Sequence, residues 1–296
     1  YIYYSMFGFQ RVGDLAWAAG DSQARGFLLG ATAGRTTLNG EGLQHQDGHS
    51  HVQAGLIPNC VTYDPTYGYE IAVIIRDGLR RMYEDNENVF YYLTLMNENY
   101  QHPAIPETTD ISDQIIKGIY QLEQVVPKKK AVANVQLMGS GTILQKVRQA
   151  AQILADDYNI SSDVYSVTSF NELARDGQDV TRWNMLHPES KQRVPYISNV
   201  ITKEAGPAIA ATDYIKNYSD QVRAYIDTEY RCLGTDGFGR SDSRANLRQH
   251  FEVDQNYVVV AALYELANRG EVKRSVVTEA IKRFNINSDK LNPLYA

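Results

Sequence analysis

Residues 60–95 read CVTYDPTYGYEIAVIIRDGLRRMYEDNENVFYYLTL, and this stretch decides the fold class. It opens with the short apolar run Cys60 to Tyr63 and closes with Val89 to Leu95, both rich in residues that favour strands. Between the two runs, apolar side chains recur at helical spacing over residues 66–84. A strand, a helix and a second strand in this order predict an α/β layer with parallel strands.

The same alternation continues on both sides of this unit. Residues 1–25 carry apolar side chains at helical spacing and predict a helix, and Phe27 to Thr32 predicts a buried strand. A polar segment with two prolines, residues 97–113, precedes a second alternating series and indicates a domain boundary. We therefore expect two α/β units, over residues 1–104 and 105–296.

Local patterns in the second unit give more detailed expectations. The strands at residues 118–123 and 134–138 predict a hairpin, residues 175–179 an ordinary turn, and residues 213–225 a helix. Three helices close the chain. Their predicted N-caps are Ser241 or Asp242, Asp254, and Glu271 or a neighbour.

Composition narrows the class of protein. The 296 residues are 43% hydrophobic and 22% charged, as in ordinary globular proteins, and the net charge of −6 gives no support to nucleic-acid or anionic-membrane binding. The one basic run, Lys128 to Lys130, follows a proline and predicts a solvated turn. No apolar run approaches the roughly 18 residues of a membrane span, so we expect no membrane partner.

The two cysteines and the start of the chain give two further predictions. Cys60 and Cys232 lie in apolar, strand-like surroundings far apart in sequence, which predicts buried thiols in a reducing compartment, the cytoplasm. The chain opens with Tyr1 inside an apolar stretch and without a methionine, which predicts a cut or partial polypeptide.

Residues 40–51 read GEGLQHQDGHSH and hold three of the six histidines. His45, His49 and His51 with Asp47 offer metal-ligand chemistry, but their spacing matches no strong zinc motif. An acid/base histidine that faces a substrate is a second reading, because imidazole titrates near neutral pH. A solvated loop without chemistry is the third, and the residues alone leave all three open.

Two other features have a structural and a functional reading each. Tyr4 and Phe7 lie three positions apart, so they form either a core pair or an aromatic platform for a flat heterocycle. The glycine-rich segment from Gly234 to Ser243 leaves a predicted strand and enters a helix. Such segments contact ligands or partner subunits in α/β folds, or they simply connect two elements.

Four motifs in this order resemble one family. They are YSMFGFQR at 4–11, GRTTLNGEGLQH at 34–45, DVYSVTSF at 163–170 and LGTDGFGRS at 233–241. Together they are similar to the homodimeric, bacterial-type pyruvate dehydrogenases, the decarboxylating components of pyruvate dehydrogenase complexes, and more widely to the transketolases. The resemblance covers residues 1–296 and departs only around 107–113 and 127–134.

The resemblance implies a fold and an activity. The fold would be the end of a middle, pyrimidine-binding α/β domain over residues 1–104, followed by a transketolase-type C-terminal α/β domain over 105–296 with a mostly parallel sheet. The activity would be decarboxylation of pyruvate with thiamine diphosphate and Mg²⁺, and transfer of acetyl to the lipoyl domain of the dihydrolipoyl acetyltransferase component. The protein would be a homodimer with its cofactor between two subunits.

The same resemblance assigns roles to residues of this sequence. Tyr4 and Phe7 would wall the aminopyrimidine ring, and Arg11 lies in the same motif with a weaker assignment. His45 would donate a hydrogen bond to the substrate carbonyl oxygen, and Glu41 would orient or tune His45. The family's catalytic glutamate and its magnesium and diphosphate ligands would lie upstream, so we expect no metal ligands here and an inactive polypeptide in isolation.

The residues themselves also indicate that the diphosphate-binding half of the site is missing from this sequence. The thiamine diphosphate signature is Gly-Asp-Gly with an asparagine about 25 or more residues later, and the nearest match, Gly40-Glu41-Gly42, is followed by Asn59 only 17 positions on. Two alternatives stay open beside the main interpretation. One is a transketolase-like enzyme for another 2-oxo substrate, and the other is a catalytically inert fragment that dimerises.

Overall fold

The computed structural model describes residues 1–296 and contains two sheets, each flanked by helices. The strands are β1 Ile2–Tyr4, β2 Phe27–Ala31, β3 Cys60–Tyr63, β4 Phe90–Leu95, β5 Ile119–Val125, β6 Ala133–Gly139, β7 Ile160–Val167, β8 Ala208–Ala211 and β9 Tyr230–Leu233. The helices are α1 Ser5–Asp21, α2 Ser50–Gly55, α3 Gly68–Leu79, α4 Ile111–Lys117, α5 Leu144–Tyr158, α6 Phe170–Leu186, α7 Tyr196–Val200, α8 Lys216–Asp220, α9 Arg244–His250, α10 Gln255–Asn268 and α11 Arg274–Arg283.

The first sheet has the strand order β1-β2-β4-β3, and all of its strands are parallel. Its β3–α3–β4 unit is the stretch quoted at the start, with Cys60 opposite Phe90. Helix α3 continues into a wider π turn, Arg80–Glu84, so the helical region ends at Glu84, as predicted. The prediction from residues 60–95 is confirmed.

The second sheet has the order β5-β7-β6-β8-β9, and β5 alone is antiparallel to its neighbour. Its inner strands are buried on both faces, as expected for parallel sheets covered by helices. Helices α5 and α10 pack over one face, and α6 with α7 covers the other. This arrangement confirms the predicted α/β class with a mostly parallel sheet.

The predicted hairpin is wrong. Strand β5 pairs with β7, with Ile119 opposite Val167, while β6 lies between β7 and β8. All eight residues of β7 are buried. Strand β7 includes three serines and Asp163, so burial along its whole length requires a hydrogen-bonded strand on each side. It therefore lies between β5 and β6, the two segments that are adjacent in sequence. The lysine turn from Lys128 to Lys130 is exposed, as predicted.

Two further local predictions fail for reasons of packing. The expected turn at residues 175–179 lies inside α6, where Gly177 sits against the ring of Tyr225 and an added Cβ would be 2.3 Å from that ring. The expected helix over 213–225 is reduced to α8 and one short turn, because Asp213 and Tyr214 are buried by contacts with other elements. At the start of the chain, a strand precedes the predicted helix.

The two sheets meet at the carboxyl ends of their strands. The backbone N–H of Asp64, directly after β3, donates to the carbonyl of Thr168 after β7 at 2.8 Å, and Gly141 N–H donates to Asp64 O at 3.2 Å. The buried carboxylate of Glu70 accepts hydrogen bonds from Tyr120 Oη and Ser166 Oγ across the same junction. A buried polar network of this kind fixes how the two layers face each other.

The segment between β4 and α4 contains the predicted boundary at residues 104 and 105, which stays a prediction. Cys60 and Cys232 are both free and buried, as expected. None of the helices combines the length and apolar character that a membrane span requires.

Candidate active site

The first turns of α1 present an aromatic pair. Strand β1 ends at Tyr4 and the helix begins at Ser5, so Tyr4 and Phe7 project on the same side. Their ring centroids are 6.0 Å apart at an interplanar angle of 65°. Tyr4 is 53% exposed and Phe7 is partly exposed, so the pair lines an open surface and is not core.

His45 joins this pair from a loop that is distant in sequence. Its imidazole centroid lies 4.7 Å from that of Phe7 and 5.7 Å from that of Tyr4. The structure therefore brings the histidine and the two aromatic residues singled out in the sequence into one partly exposed cluster of rings, and we name the surface of this cluster the crevice.

Glu41 lies at the edge of this crevice. Its Oε2 atom is 4.0 Å from His45 Nδ1, which is a charge contact but too long for a hydrogen bond. His45 Nδ1 is buried and has no hydrogen-bond partner in the protein. The carboxylate of Glu41, which is 52% exposed, faces this nitrogen without bonding to it.

Arg11 lies one turn further along α1. Its guanidinium carbon is 4.2 Å from the centroid of the Phe7 ring, within the range of a cation–π contact. The arginine therefore adds positive charge behind the aromatic platform.

The other two histidines of the loop have different partners. His49 Nε2 is 2.8 Å from the side-chain amide nitrogen of Gln10 on α1, and burial lowers the pKa of His49. His51 is fully buried, its Nε2 is 2.8 Å from Thr94 Oγ1, and burial lowers its pKa to about 3. His49 thus links the loop to α1, while His51 belongs to the core.

Asp47 lies just before α2 and holds the start of this helix. Its Oδ1 accepts hydrogen bonds from the backbone N–H groups of His49 and Ser50 at 3.0 and 2.9 Å, so it holds the first turn of α2. The histidines and Asp47 therefore do not converge, and the structure has no group of three or more His, Cys, Asp or Glu side chains able to hold a metal. The metal reading of this loop has no geometric support.

The segment that leads into the loop is anchored on the second sheet. The carboxylate of Asp213, after β8, accepts hydrogen bonds from the backbone N–H and the hydroxyl of both Thr36 and Thr37, at 2.6–3.0 Å. Burial raises the pKa of Asp213, and Arg248 and these hydrogen bonds oppose that shift. Four donors on one carboxylate fix the start of the loop in a single position.

The Gly234–Ser243 segment contacts the same loop. Arg35 Nη1 donates to the carbonyl of Thr235 at 2.6 Å and also to that of Gly237, and Gly40 N–H donates to Asp242 O at 3.1 Å. Sequence analysis predicted a ligand, interface or connecting role for this segment. It missed the support that the segment gives to the loop carrying His45, and it missed Asp213 and Gln10, because no local pattern connects residues so far apart.

Comparison with known proteins identifies the family. The model described as "Pyruvate dehydrogenase E1 component middle domain" matches residues 1–103, and "Transketolase-like TK C-terminal domain" matches residues 118–254. A protein of Escherichia coli K12 named pyruvate dehydrogenase E1 component is 64% identical over 100% of this chain and 33% of its own length. The chain belongs to the pyruvate dehydrogenase E1 family. The resemblance stated from the four motifs is thereby confirmed.

Further pyruvate dehydrogenase E1 relatives come from Haemophilus influenzae, at 60% identity over 100% of this chain and 33% of that protein, and Pseudomonas aeruginosa, at 59% over 99% and 33%. The chain thus spans about a third of the length of the curated relatives that it matches.

Solved transketolases share the fold. The enzyme from Leishmania mexicana has a TM-score of 0.63 at 17% identity and covers 90% of this chain and 34% of its own. A mutant from Pichia stipitis has a TM-score of 0.66 at 15% identity over 91% and 34%. At these identities the likeness confirms the transketolase-like fold and indicates nothing about the substrate of this chain.

Proposed function

We propose that the protein containing this chain is a thiamine diphosphate-dependent pyruvate dehydrogenase, which decarboxylates pyruvate and transfers acetyl to the lipoyl group of a dihydrolipoyl acetyltransferase. The proposal rests on the meeting of His45 with Tyr4 and Phe7 in one crevice, with the imidazole 4.7 Å from the nearer ring. The pyruvate dehydrogenase E1 relatives at 59–64% identity support the choice of substrate.

The chemistry of the crevice fits one end of the proposed cofactor. Two partly exposed aromatic rings are suited to the face of a planar heterocycle such as an aminopyrimidine. His45 Nδ1, buried and without a partner, leaves one imidazole nitrogen uncommitted beside them. We propose that Tyr4 and Phe7 hold the ring of thiamine diphosphate, with Arg11 behind Phe7, and that Mg²⁺ and the diphosphate are bound outside this chain.

Each residue has a stated part in the proposed reaction. When bound, thiamine diphosphate supplies an electron sink for the electron pair that remains as carbon dioxide leaves pyruvate. His45 donates a hydrogen bond to the substrate oxygen as negative charge grows on it, a contribution of about 3 kcal/mol for a well-placed donor. Glu41, with its Oε2 atom 4.0 Å from Nδ1, tunes His45 by its negative charge, which favours the protonated imidazole that can donate.

The word "component" in the names of the relatives supports a place in a multienzyme complex. They are components of pyruvate dehydrogenase, and we propose a homodimer that works beside the acetyltransferase in a multienzyme complex, in the cytoplasm. Residues 1–104 would be the end of the pyrimidine-binding domain and residues 105–296 the C-terminal domain.

The replacement His45→Ala tests the proposal in the full-length protein. We expect turnover of pyruvate to fall by roughly 100-fold, because the growing charge loses a hydrogen-bond donor, while affinity for thiamine diphosphate stays within about two-fold. Steady-state kinetics and calorimetric titration of the cofactor measure the two quantities. His187→Ala is the control, since His187 is exposed and stacks on Trp183 far from the crevice. Equal loss of turnover and cofactor affinity would mean that His45 is only structural.

A further inference from the structure

Gln46 immediately follows the candidate catalytic histidine and is fully buried. Its Nε2 donates a hydrogen bond to the carbonyl of Leu38 at 2.9 Å, which closes the base of the loop that carries Glu41 and His45. A buried amide retains such bonds because water is not available to replace them. The side chain therefore fixes the width of the loop at its base.

The other end of the same amide reaches the second half of the chain. Gln46 Oε1 accepts a hydrogen bond from the backbone N–H of Arg240 at 2.6 Å, across 194 positions of sequence. Arg240 lies in the segment between β9 and α9. One side chain thus connects the loop base to an element of the other sheet.

Gly239 packs directly against this amide. A Cβ added at Gly239 would lie 2.8 Å from Gln46 Oε1 and 2.6 Å from the carbonyl oxygen of Leu43. The contact leaves no room for a side chain at position 239, so the two segments pack closely against each other here.

We propose that Gln46 is a positioning residue, which sets the place of the His45 imidazole relative to Tyr4 and Phe7 by tying its loop to the Gly239–Arg240 segment. The inference rests on the proposed function. It also gives the C-terminal half a part in the reaction: this half holds the loop of the other sheet without itself reaching the substrate.

The test is a double-mutant cycle in the full-length protein with Gln46→Ala and His45→Ala. If Gln46 acts through His45, then Gln46→Ala lowers kcat by roughly 10- to 100-fold in the wild-type background, since a displacement of about 1 Å costs this much. In the His45→Ala background it changes kcat by less than about two-fold, because the group it positions is absent. KM for pyruvate stays within about three-fold in both backgrounds.

Gln136→Ala is the matched control. Gln136 is also a fully buried glutamine whose amide bonds to backbone carbonyls, those of Thr202 and Gly206, but it lies in β6 away from the crevice. We expect it to lower the thermal midpoint and leave kcat unchanged, which separates positioning from general loss of stability.

Gly239→Ala provides a second route if Gln46→Ala does not fold. This variant retains every hydrogen-bonding group, but its added Cβ would press on the Gln46 amide. We therefore expect the same non-additivity with His45→Ala.

The outcomes are distinguishable. Effects that multiply in the double variant, or an unchanged kcat in Gln46→Ala, overturn the positioning role and leave the proposed function intact. An unchanged kcat in His45→Ala overturns the role of His45 itself, and the inference about Gln46 with it.

Discussion

Asp64 shows how burial changes the chemistry of a single residue. It lies at the junction of the two sheets, where Oδ1 accepts a hydrogen bond from Thr94 Oγ1 at 2.6 Å and Oδ2 has no partner. Burial raises the pKa of this carboxyl to about 7, and the carboxylates of Asp213 and Asp47 act in the same direction. The hydrogen bond from Thr94 only partly offsets this shift, so Asp64 retains its proton in mildly acidic solution.

The raised pKa predicts a stability that depends on pH. Between the ordinary value of about 4 and the folded value of about 7, the unfolded chain has lost a proton that the folded chain keeps, so the free energy of unfolding falls as pH rises. Asp64→Asn removes this dependence. We expect the variant to gain up to about 4 kcal/mol relative to wild type at pH 8 and little at pH 4. Chemical denaturation at the two pH values measures this, and parallel pH dependences of the two proteins would contradict it.

Helix starts illustrate what is decided at the scale of one element. Asp254 caps α10 as predicted, with Oδ1 accepting from the backbone N–H groups of Asn256 and Tyr257 at 2.9 and 3.0 Å. The cap of α9 is Ser243 and not Ser241 or Asp242, although Asp242 accepts from the N–H of Ser243. The N-cap of α11 is Lys273, a near neighbour of the predicted Glu271, and it makes no side-chain cap bond. Capping residues mark a helix start to within a few positions, and the packing of the helix chooses among them.

Removing the cap of α10 should weaken the protein measurably. Asp254→Ala leaves two backbone N–H groups without their acceptor, and we expect the free energy of unfolding to fall by about 1 kcal/mol. Lys273→Ala at the corresponding position of α11 is the control, with an expected change within about 0.5 kcal/mol, because Lys273 makes no cap bond. Chemical denaturation of both variants decides the matter, and losses of equal size would show that the cap bonds contribute nothing.

At the scale of the whole molecule, a buried arginine and a glutamate join the two halves of the chain beside the segment that leads into the His45 loop. Arg248 on α9, with only 4% of its side chain exposed, pairs with Glu98 after β4. Its Nε lies 3.3 Å from Thr36 Oγ1, so the pair also supports the segment anchored on Asp213. Arg244, one turn earlier, faces the same carboxylate at 3.9 Å but is 30% exposed. The two arginines share a helix and a partner and differ in burial.

This difference predicts unequal costs of substitution. Arg248→Met removes the buried side of the pair and leaves Glu98, which is 23% exposed, with Arg244 as its remaining partner, and we expect a loss of about 2 kcal/mol in the free energy of unfolding. Arg244→Met should cost no more than about 1 kcal/mol, as for an exposed ion pair. Thermal and chemical denaturation of the full-length variants measure both, and a larger effect at Arg244 would contradict the assignment of the buried pair.

The amino-acid sequence alone determined the features of the fold that depend on residues close together in the chain. The alternation in residues 60–95 sufficed for the β3–α3–β4 unit, and Asp254 for the start of a helix, because propensity and capping act over a few residues. The spacing of Tyr4 and Phe7 placed both rings on one side of α1, but their meeting with His45 was expected only through family resemblance.

Only the tertiary structure decided what depends on contacts across the chain. It inserted β7 beside β6 where a hairpin was expected, and it enclosed Gly177 in a helix against Tyr225. Asp213 reaches Thr36 across 177 positions and Gln46 reaches Arg240 across 194. No local pattern records such pairs, because these hydrogen bonds form only after the two sheets have come together and removed the polar groups from water.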